Sequence, residues 1–225
     1  MTPELTVVLP VYNQADHIVE VAQRYVSVFR RRPWQILLVP NGCRDDSPRL
    51  CRNLAKKHKN IRVIESIRGG WGYSVRLGLR NAHGRFIGYT NSARTDPAVI
   101  LPLVERLRKN PESLVKIERR ERGHPLRELG SLMYNLECRL LLGTGSPDVN
   151  GTPKLFPQKV YQRMNLVSDG DLLDAEVMAW CGRLGVPVLE TPLEGWGRHG
   201  GKSTTGFKSA ARMYLGVLDV RRGMP

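Results

Sequence analysis

The chain has 225 residues, of which 41% are hydrophobic and 25% charged, a length and composition that exclude a disordered or fibrous protein. Lysine and arginine number 35 against 21 acidic residues, and the net charge of +14 indicates either anionic partners or cations that only solvate the surface. No Cys-x-x-Cys pair, signal-peptide pattern or apolar run of about 18 residues is present, which argues against a cysteine-zinc site, secretion and a membrane span.

In the first half of the chain, apolar runs typical of buried strands alternate with helical patterns. The predicted strands are Leu5 to Pro10, Gln35 to Val39, Ile61 to Glu65 and Phe86 to Tyr89. Ser74 is predicted to cap the third helix, and Asp96-Pro97 to begin the fourth. Because strand and helix alternate with short connections, we predict a single α/β domain of Rossmann type, with a mostly parallel central sheet flanked by helices.

The second half carries a more varied pattern. The predicted elements are a helix over Ala98 to Arg108, a strand over Leu114 to Ile117, a charged loop over Glu118 to Pro125, a long amphipathic helix over Leu126 to Leu142, a loop entering a strand near Lys154, a helix over Asp174 to Leu184, a strand over Val186 to Glu190 and a last helix from Phe207. Pro187 near the start of its strand predicts a sheet edge. The apolar stripe of the last helix is expected to pack on the core, with a membrane surface as the alternative.

Polar loops follow the predicted strands, and ligands of open α/β sheets bind where strands end. Thr90 to Asp96 is therefore expected at the centre of a site, although it has an arginine, Arg94, and no carboxylate before Asp96. The glycine-rich run Gly69 to Ser74 precedes a helix and permits close approach of phosphate, or is a plain loop. Two basic loops, around Arg119 to Arg122 and Arg198 to Ser203, suit phosphate binding, with solvated surface as the alternative for the first.

Taken in order, five segments resemble the family 2 glycosyltransferases of GT-A fold, and most of all the dolichyl- or polyprenyl-phosphate sugar synthases. These segments are Leu5 to Asn13, Ile36 to Ser47, Gly69 to Ala82, Phe86 to Pro97 and Asp174 to Pro192. The resemblance covers nearly the whole chain. It implies one GT-A domain over residues 1–225, in which residues 1–97 bind the nucleotide sugar and residues 98–225 bind the acceptor. Because no long apolar run is present, no transmembrane segment is expected.

The resemblance also implies roles for individual residues. The donor-binding set is Pro10, Tyr12, Asn13, Asn41, Asp45, Gly70, Tyr73, Asn91 and Asp96. Asn41 stands where the family usually has aspartate, and a turn residue with Asx chemistry is its alternative reading. Asp174 and Glu176 match the family's Asp-x-Glu and are expected near the reacting sugar, as a base, as ligand-orienting groups or as helix N-terminal carboxylates. The acceptor or phosphate set is Arg119, Arg122, Lys154, Arg198, Lys202 and Ser203.

Family members place Asp-x-Asp before the Asp-Pro helix start, where it holds Mg²⁺ or Mn²⁺ against the donor diphosphate. Here the two registers fall on Thr90 and Ser92 or on Asn91 and Ala93, and neither supplies a carboxylate. We therefore assign no metal ligands and no certain cofactor, and expect Arg94 to stabilise the departing diphosphate instead.

These features together predict an inverting glycosyltransferase that moves a sugar from a GDP- or UDP-sugar to an anionic acceptor, a polyprenyl or dolichyl phosphate. The alternative is a catalytically inactive relative that binds a nucleotide sugar or a protein partner. No nucleic-acid-binding module is recognisable, and no oligomeric state is indicated. The expected location is the cytoplasm, with peripheral association at the inner face of the membrane.

Overall fold

The computed structural model describes residues 2–92, 95–119, 125–193 and 207–223, without the side chains of 125–127 and 207–212. The strands are β1 (Leu5–Val11), β2 (Trp34–Pro40), β3 (Ile61–Val63), β4 (Phe86–Tyr89), β5 (Leu114–Arg119), β6 (Lys154–Pro157) and β7 (Val188–Leu193). The helices are α1 (Ile18–Phe29), α2 (Ser47–Lys57), α3 (Trp71–Asn81), α4 (Ile100–Lys109), α5 (Pro125–Leu142), α6 (Gln158–Tyr161), α7 (Leu173–Leu184) and α8 (Phe207–Gly223).

The seven strands form one sheet in the order β3-β2-β1-β4-β6-β5-β7. Strand β6 runs antiparallel to β4 and β5, and every other pairing is parallel. The predicted α/β fold with a mostly parallel sheet is therefore confirmed, as is the predicted edge position of β7. Because only β6 is reversed, its first residues lie at the same edge of the sheet as the carboxyl ends of the other strands.

Apolar residues cover both faces of the sheet, as its flanking helices require. Val8 packs with α3, α5 and α7 on one side, whereas the next residue, Leu9, packs with α1, α2 and α4 on the other. All seven residues of β1 are buried. Each fully buried valine or leucine contributes about 1.5–3 kcal/mol relative to the exposed side chain, so this central strand anchors both layers.

The helix start predicted at Asp96-Pro97 is confirmed, because an Asp96 carboxylate oxygen accepts a hydrogen bond from the Ala98 amide at 2.8 Å. A 3₁₀ turn over Pro97–Val99 leads into α4. The predicted cap at Ser74 is wrong. Helix α3 begins at Trp71 after the N-cap Gly70, and the Ser74 hydroxyl donates back to the Gly70 and Trp71 carbonyls at 2.8 and 2.9 Å.

Some strand ends also differ from the prediction, and β3 ends at Val63 instead of Glu65. Strand β5 continues through Glu118 to Arg119, which had been expected in a charged loop, and β7 continues to Leu193. The reason is pairing, since the parallel register of these strands runs on to Arg119 opposite Leu193. Across the described residues, none of the helices combines the length and apolarity needed to cross a bilayer.

Candidate active site

The loops after β1 and β2 are joined by hydrogen bonds at the carboxyl edge of the sheet. The Asn13 side-chain oxygen accepts from the Arg44 amide at 2.8 Å, and an Asp45 carboxylate oxygen accepts from the Ala15 amide at 2.9 Å. Asn13 has a φ of 48°, a left-handed conformation that asparagine tolerates better than most residues. Two predicted donor-binding residues thus lie together, and Tyr12, 48% exposed, stands beside them.

Asn41 is buried at this edge and uses its amide inside the protein. Its nitrogen donates to the Val11 and Val39 carbonyls at 2.9 and 3.1 Å, and its oxygen accepts from the Gly70 amide at 3.1 Å. The side chain therefore links three loops of the predicted donor site. Its contacts are therefore those of a positioning residue inside the protein.

Gly70 and Gly72, at the start of α3, are explained by packing within the protein. A Cβ atom on Gly70, whose φ is 143°, would lie 2.9 Å from the Asp169 carbonyl oxygen, and one on Gly72 would lie 2.5 Å from the Ser168 oxygen. The half-buried Tyr73 donates its amide to the same Asp169 carbonyl at 2.9 Å. Close approach of two protein loops, rather than of a phosphate, is what the glycines allow here.

A row of polar side chains crosses the sheet beneath the site. Tyr89, Lys154, Lys116 and Glu190 stand directly opposite one another on β4, β6, β5 and β7, and so share one face of the sheet. Both lysine side chains are fully buried. Since a buried ammonium group is costly unless it is paired, each requires an anionic partner at this depth.

Asp174 is the partner of Lys154 and the hub of the site. Its carboxylate is ion-paired with the Lys154 ammonium and accepts hydrogen bonds from the Tyr89 hydroxyl at 2.7 Å and the Trp71 indole at 3.2 Å. Burial, and then the Asp174 charge, raise the pKa of Tyr89 well above its ordinary value, so the hydroxyl stays a donor. Burial lowers the pKa of Lys154, and the Asp174 carboxylate opposes that effect.

Glu176 is equally committed to the protein. It is 2% exposed, and its two carboxylate oxygens accept from the Val167 and Ser168 amides at 2.7 and 2.8 Å. These bonds hold the loop against which the glycines of the α3 loop pack. The Asp-x-Glu pair therefore builds the site from within, and neither carboxylate is presented as a base in this conformation.

Two further cations near this row are also paired. The Lys116 ammonium lies 2.8 Å from a Glu190 carboxylate oxygen, which also accepts from the Ser146 hydroxyl at 2.6 Å. Arg119 forms a two-pronged ion pair with Asp148 at 2.9 and 2.7 Å. Burial lowers the Arg119 pKa, but the Asp148 hydrogen bond and charge outweigh it and leave the pKa above its ordinary value.

Sequence reasoning missed Tyr89, Lys116 and Glu190. A lysine inside the apolar run Leu114 to Ile117 was the signal available for one of them. Lys154 was predicted to contact a phosphate, but its fully buried ammonium faces Asp174 and does not reach the surface in this conformation. The sequence did not indicate that Lys154 is buried, because the residues before it are polar and the strands and helix that cover it are distant in sequence.

The segment after β4 does not fit a divalent metal ion. Thr90 and Ser92 are buried, and their hydroxyls are bonded to the Thr95 hydroxyl at 2.5 Å and to the Gln14 side-chain oxygen at 2.7 Å. The Asp96 carboxylate caps a helix. Among the described residues, no three histidine, cysteine, aspartate or glutamate side chains are grouped as metal ligands. A hard cation prefers several charged or carbonyl oxygens, which this arrangement does not offer.

The other predicted residues of this region are placed as follows. Pro10 is buried in β1 and its carbonyl accepts from the Ser92 hydroxyl at 3.1 Å, while Asn91 is half-buried beside it. Five predicted residues lie outside the described part of the chain: Arg94, Arg122, Arg198, Lys202 and Ser203. Their assignments stay predictions.

Comparison with known proteins relates this geometry to one family. The model of the family described as glycosyl transferase family 2 matches residues 6–164. A dolichyl-phosphate beta-glucosyltransferase of Trichomonas vaginalis is 24% identical over 214 residues, which cover 84% of this chain and 63% of the relative. An undecaprenyl-phosphate 4-deoxy-4-formamido-L-arabinose transferase of Pectobacterium atrosepticum is 25% identical over 166 residues, covering 71% of this chain and 50% of the relative. The matches thus span about half to two thirds of these relatives.

The fold has a close counterpart among solved structures. Glucosyl-3-phosphoglycerate synthase from Mycobacterium tuberculosis, solved with Mn²⁺, UDP and glucosyl-3-phosphoglycerate, superposes with a TM-score of 0.76. The superposition covers 99% of this chain and 81% of that protein at 18% identity. This likeness confirms the predicted GT-A architecture.

Proposed function

Because the chain belongs to glycosyl transferase family 2, we propose that it transfers a sugar from a nucleotide-diphospho-sugar to the phosphate of a polyprenyl or dolichyl phosphate, with inversion at the anomeric carbon. The observation that carries the choice of acceptor is the commitment of both Asp-x-Glu carboxylates. Asp174 and Glu176 accept five hydrogen bonds or ion pairs from the protein between them. An acceptor hydroxyl would need a base, whereas a phosphate does not.

The chemical step follows from this choice. An oxygen of the acceptor phosphate attacks the anomeric carbon from the face opposite the leaving group. The new carbon–oxygen bond forms as the bond to the donor diphosphate breaks, and the nucleoside diphosphate departs with the electron pair. Since the second pKa of a phosphate monoester is about 6, the nucleophile is already ionised at neutral pH and no proton must be removed.

The donor is proposed to lie over the joined loops at the carboxyl ends of β1 and β2. Tyr12, Asn13 and Asp45 supply polar groups for the base and ribose, and Asn41 holds the three loops in register. Asp174, Lys154 and Tyr89 position the loops beneath the reacting sugar rather than touch it. This support is typical of sites in which buried hydrogen bonds fix the groups that meet the ligand.

The anionic parts of both substrates require cations. We propose Arg94 for the departing diphosphate and Arg119, with Arg122, Arg198, Lys202 and Ser203, for the acceptor or leaving phosphates. Preorganised positive groups stabilise the charge that develops on a leaving diphosphate. Because the Thr90 and Ser92 hydroxyls do not fit a metal ion, these cations are proposed to act in its place. Because the proposed acceptor is a lipid, we propose that the protein works at a membrane surface, on its cytoplasmic side.

The test is transfer by purified protein offered UDP- and GDP-sugars with a polyprenyl phosphate. We expect a glycolipid whose formation is unaffected by EDTA and is reduced by Arg94→Ala. Activity that is lost in EDTA and restored by Mn²⁺ would refute the proposed charge stabilisation. The missing Asp-x-Asp carboxylates motivate the alternative, an inactive relative. Calorimetric binding of a nucleotide sugar without transfer to any acceptor would support that alternative.

A further inference from the structure

Helix α5 carries an exposed stripe of large apolar side chains. Its members, which we call the outer stripe, are 47–72% exposed: Leu129, Leu132, Met133, Leu136 and Leu140. At 3.6 residues per turn these positions fall within an arc of about 100° and extend about 16 Å along the helix. Single exposed leucines are ordinary on a protein surface, but a contiguous apolar row is not.

The opposite face of α5 is already packed on the core. Tyr134 and Cys138 are buried there. The helix is therefore apolar on both sides, a pattern typical of helices with neighbours on both sides. Packing on the core does not explain the outer stripe, which needs another apolar surface.

Helix α8 extends this surface. It lies beside α5, where the Tyr214 and Tyr134 rings meet edge to face at 5.6 Å and the Tyr214 hydroxyl donates to the Gly130 carbonyl at 2.5 Å. Leu215 and Leu218, in the next helical turn after Tyr214, are exposed to solvent. Leu215 and Leu218 are exposed on α8 as the outer stripe is on α5, so both helices present leucines at the surface beside the tyrosine contact.

Helix α5 is also hydrogen-bonded to the loop whose Asp148 pairs with Arg119, a predicted acceptor residue. The Asn135 side chain donates to the Pro147 carbonyl at 2.5 Å and accepts from the Val149 amide at 3.1 Å. Between them lies Asp148, which pairs with Arg119. Helix α5 thus carries the outer stripe on one side and is hydrogen-bonded, through Asn135, to the loop of the Asp148–Arg119 pair.

Charge decides which partner fits. The chain carries +14, and the α8 sequence has four basic residues against one acidic residue. Two copies of so cationic a protein repel one another, whereas an anionic lipid surface attracts each of them. Arg221 and Arg222, both exposed, end α8 close to Leu218 and could meet anionic headgroups beside the leucines.

From these contacts we infer that the outer stripe of α5, with Leu215 and Leu218 of α8, is the surface by which the protein docks on an anionic lipid bilayer. The inference rests on the proposed function, because it explains how a lipid-borne phosphate is brought to the acceptor side. The leucines enter the acyl boundary, and the basic groups of the protein face the lipid headgroups. Helix α5 then lies along the membrane surface, with the site held on its protein side.

The test is flotation of the full chain with vesicles of phosphatidylcholine, with and without phosphatidylglycerol, and without any polyprenyl phosphate. The variant is the triple substitution Leu132→Gln, Leu136→Gln and Leu140→Gln. The matched control is Ile67→Gln with Val167→Gln, which removes two exposed apolar side chains elsewhere on the surface. We expect the triple variant to lose vesicle binding by about tenfold or more, and the control to bind like the wild type.

The outcomes separate this inference from the proposed function. Unchanged binding of the triple variant, or no binding of the wild type to anionic vesicles, overturns the docking surface. A concentration-dependent dimer that the triple variant abolishes also overturns it, since a second copy would then cover the stripe. Transfer to a short, water-soluble isoprenyl phosphate should be equal in wild type and triple variant. If it is absent from both while vesicle binding persists, the proposed function fails and the docking surface stands.

Discussion

At the scale of single residues, the site is organised by buried charges that satisfy one another. Lys154 and Asp174 meet below the loops, and Lys116 and Glu190 meet further along the same row. Removing one member of such a pair leaves the other uncompensated in a low dielectric, which is costlier than replacing both with apolar groups. The acids that family resemblance placed at the reacting sugar are thus first of all parts of the fold.

Asp174→Asn tests this reading. We expect it to lower the free energy of unfolding by about 3–5 kcal/mol, because Lys154 loses its partner, and the double variant Lys154→Met with Asp174→Leu to regain much of that loss. Urea unfolding measures both. The exposed Glu112→Gln, which breaks the surface pair with Lys159, is the control and should change little. Additive losses in the double variant would contradict the pairing.

Asn41→Asp introduces the residue that the family resemblance implies at this position and is nevertheless expected to destabilise this chain. An aspartate cannot donate to the Val11 and Val39 carbonyls, and it would leave two buried acceptors facing a carboxylate. We expect a loss of about 1–3 kcal/mol and weaker binding of nucleotide sugar, measured by thermal unfolding and calorimetry. Asn53→Asp, the same substitution at an exposed position of α2, is the control and should leave stability close to wild type. Equal stability of Asn41→Asp would show that the amide is not needed.

At the scale of elements, a few side chains fasten the layers together. Glu4 precedes β1 and binds both the Trp34 indole of β2, at 3.0 Å, and the Arg108 guanidinium of α4, at 2.7 Å. The hydrogen bond from Arg108 holds the pKa of Glu4 below 4.5. This one carboxylate therefore links two strands and a helix.

The direction of that pKa fixes a pH dependence. A carboxylate with a lowered pKa stabilises the fold fully above its unfolded pKa of 4.5 and loses that contribution as pH falls through the lower folded value. The melting temperature of the wild type should therefore be higher than that of Glu4→Gln at neutral pH. The difference between the two melting temperatures should become smaller below pH 4.5. Glu105→Gln, which removes the more exposed Arg108 partner, is the control and should leave the pH profile nearly unchanged. A gap independent of pH would exclude ionisation as its cause.

At the scale of the whole molecule, the net charge of +14 sets how the protein meets its partners. The electrostatic field of this charge attracts anionic surfaces, and it is screened over about 8 Å in physiological salt. The apolar face on α5 and α8 supplies the short-range part of the same encounter. Membrane binding that depends on charge should weaken as salt is raised, whereas binding that depends on apolar contact should not.

Vesicle binding at different salt concentrations separates the two contributions. Raising the salt from about 0.05 to about 0.5 M should weaken binding of the wild type to anionic vesicles several-fold, because the Debye length shrinks. Weak residual binding to neutral vesicles should persist in salt and disappear in the triple leucine variant. Binding to anionic vesicles that does not respond to salt would contradict the electrostatic part.

Local pattern was sufficient for most of the fold. Apolar runs such as Phe86 to Tyr89, alternating with helical patterns, predicted the sheet and its parallel order, and Asp96-Pro97 predicted a helix start, because these signals come from neighbours in the chain. The same local chemistry misplaced Ser74, since the helix start at Trp71 is set by packing of the Gly70 loop on Asp169.

The sequence by itself determined the α/β class, the basic character and the position of the polar loops at strand ends. It also showed that the segment Thr90 to Ser92 carries no carboxylate. Only the tertiary structure decided what the remaining acids do, because Lys154, Tyr89 and Trp71 reach Asp174 from 20 to 103 residues away. Burial and ion pairing are properties of such distant contacts, and so are invisible in a linear pattern. The outer stripe of α5 was likewise decided in three dimensions, since the sequence alone does not tell which apolar face of a helix meets the core.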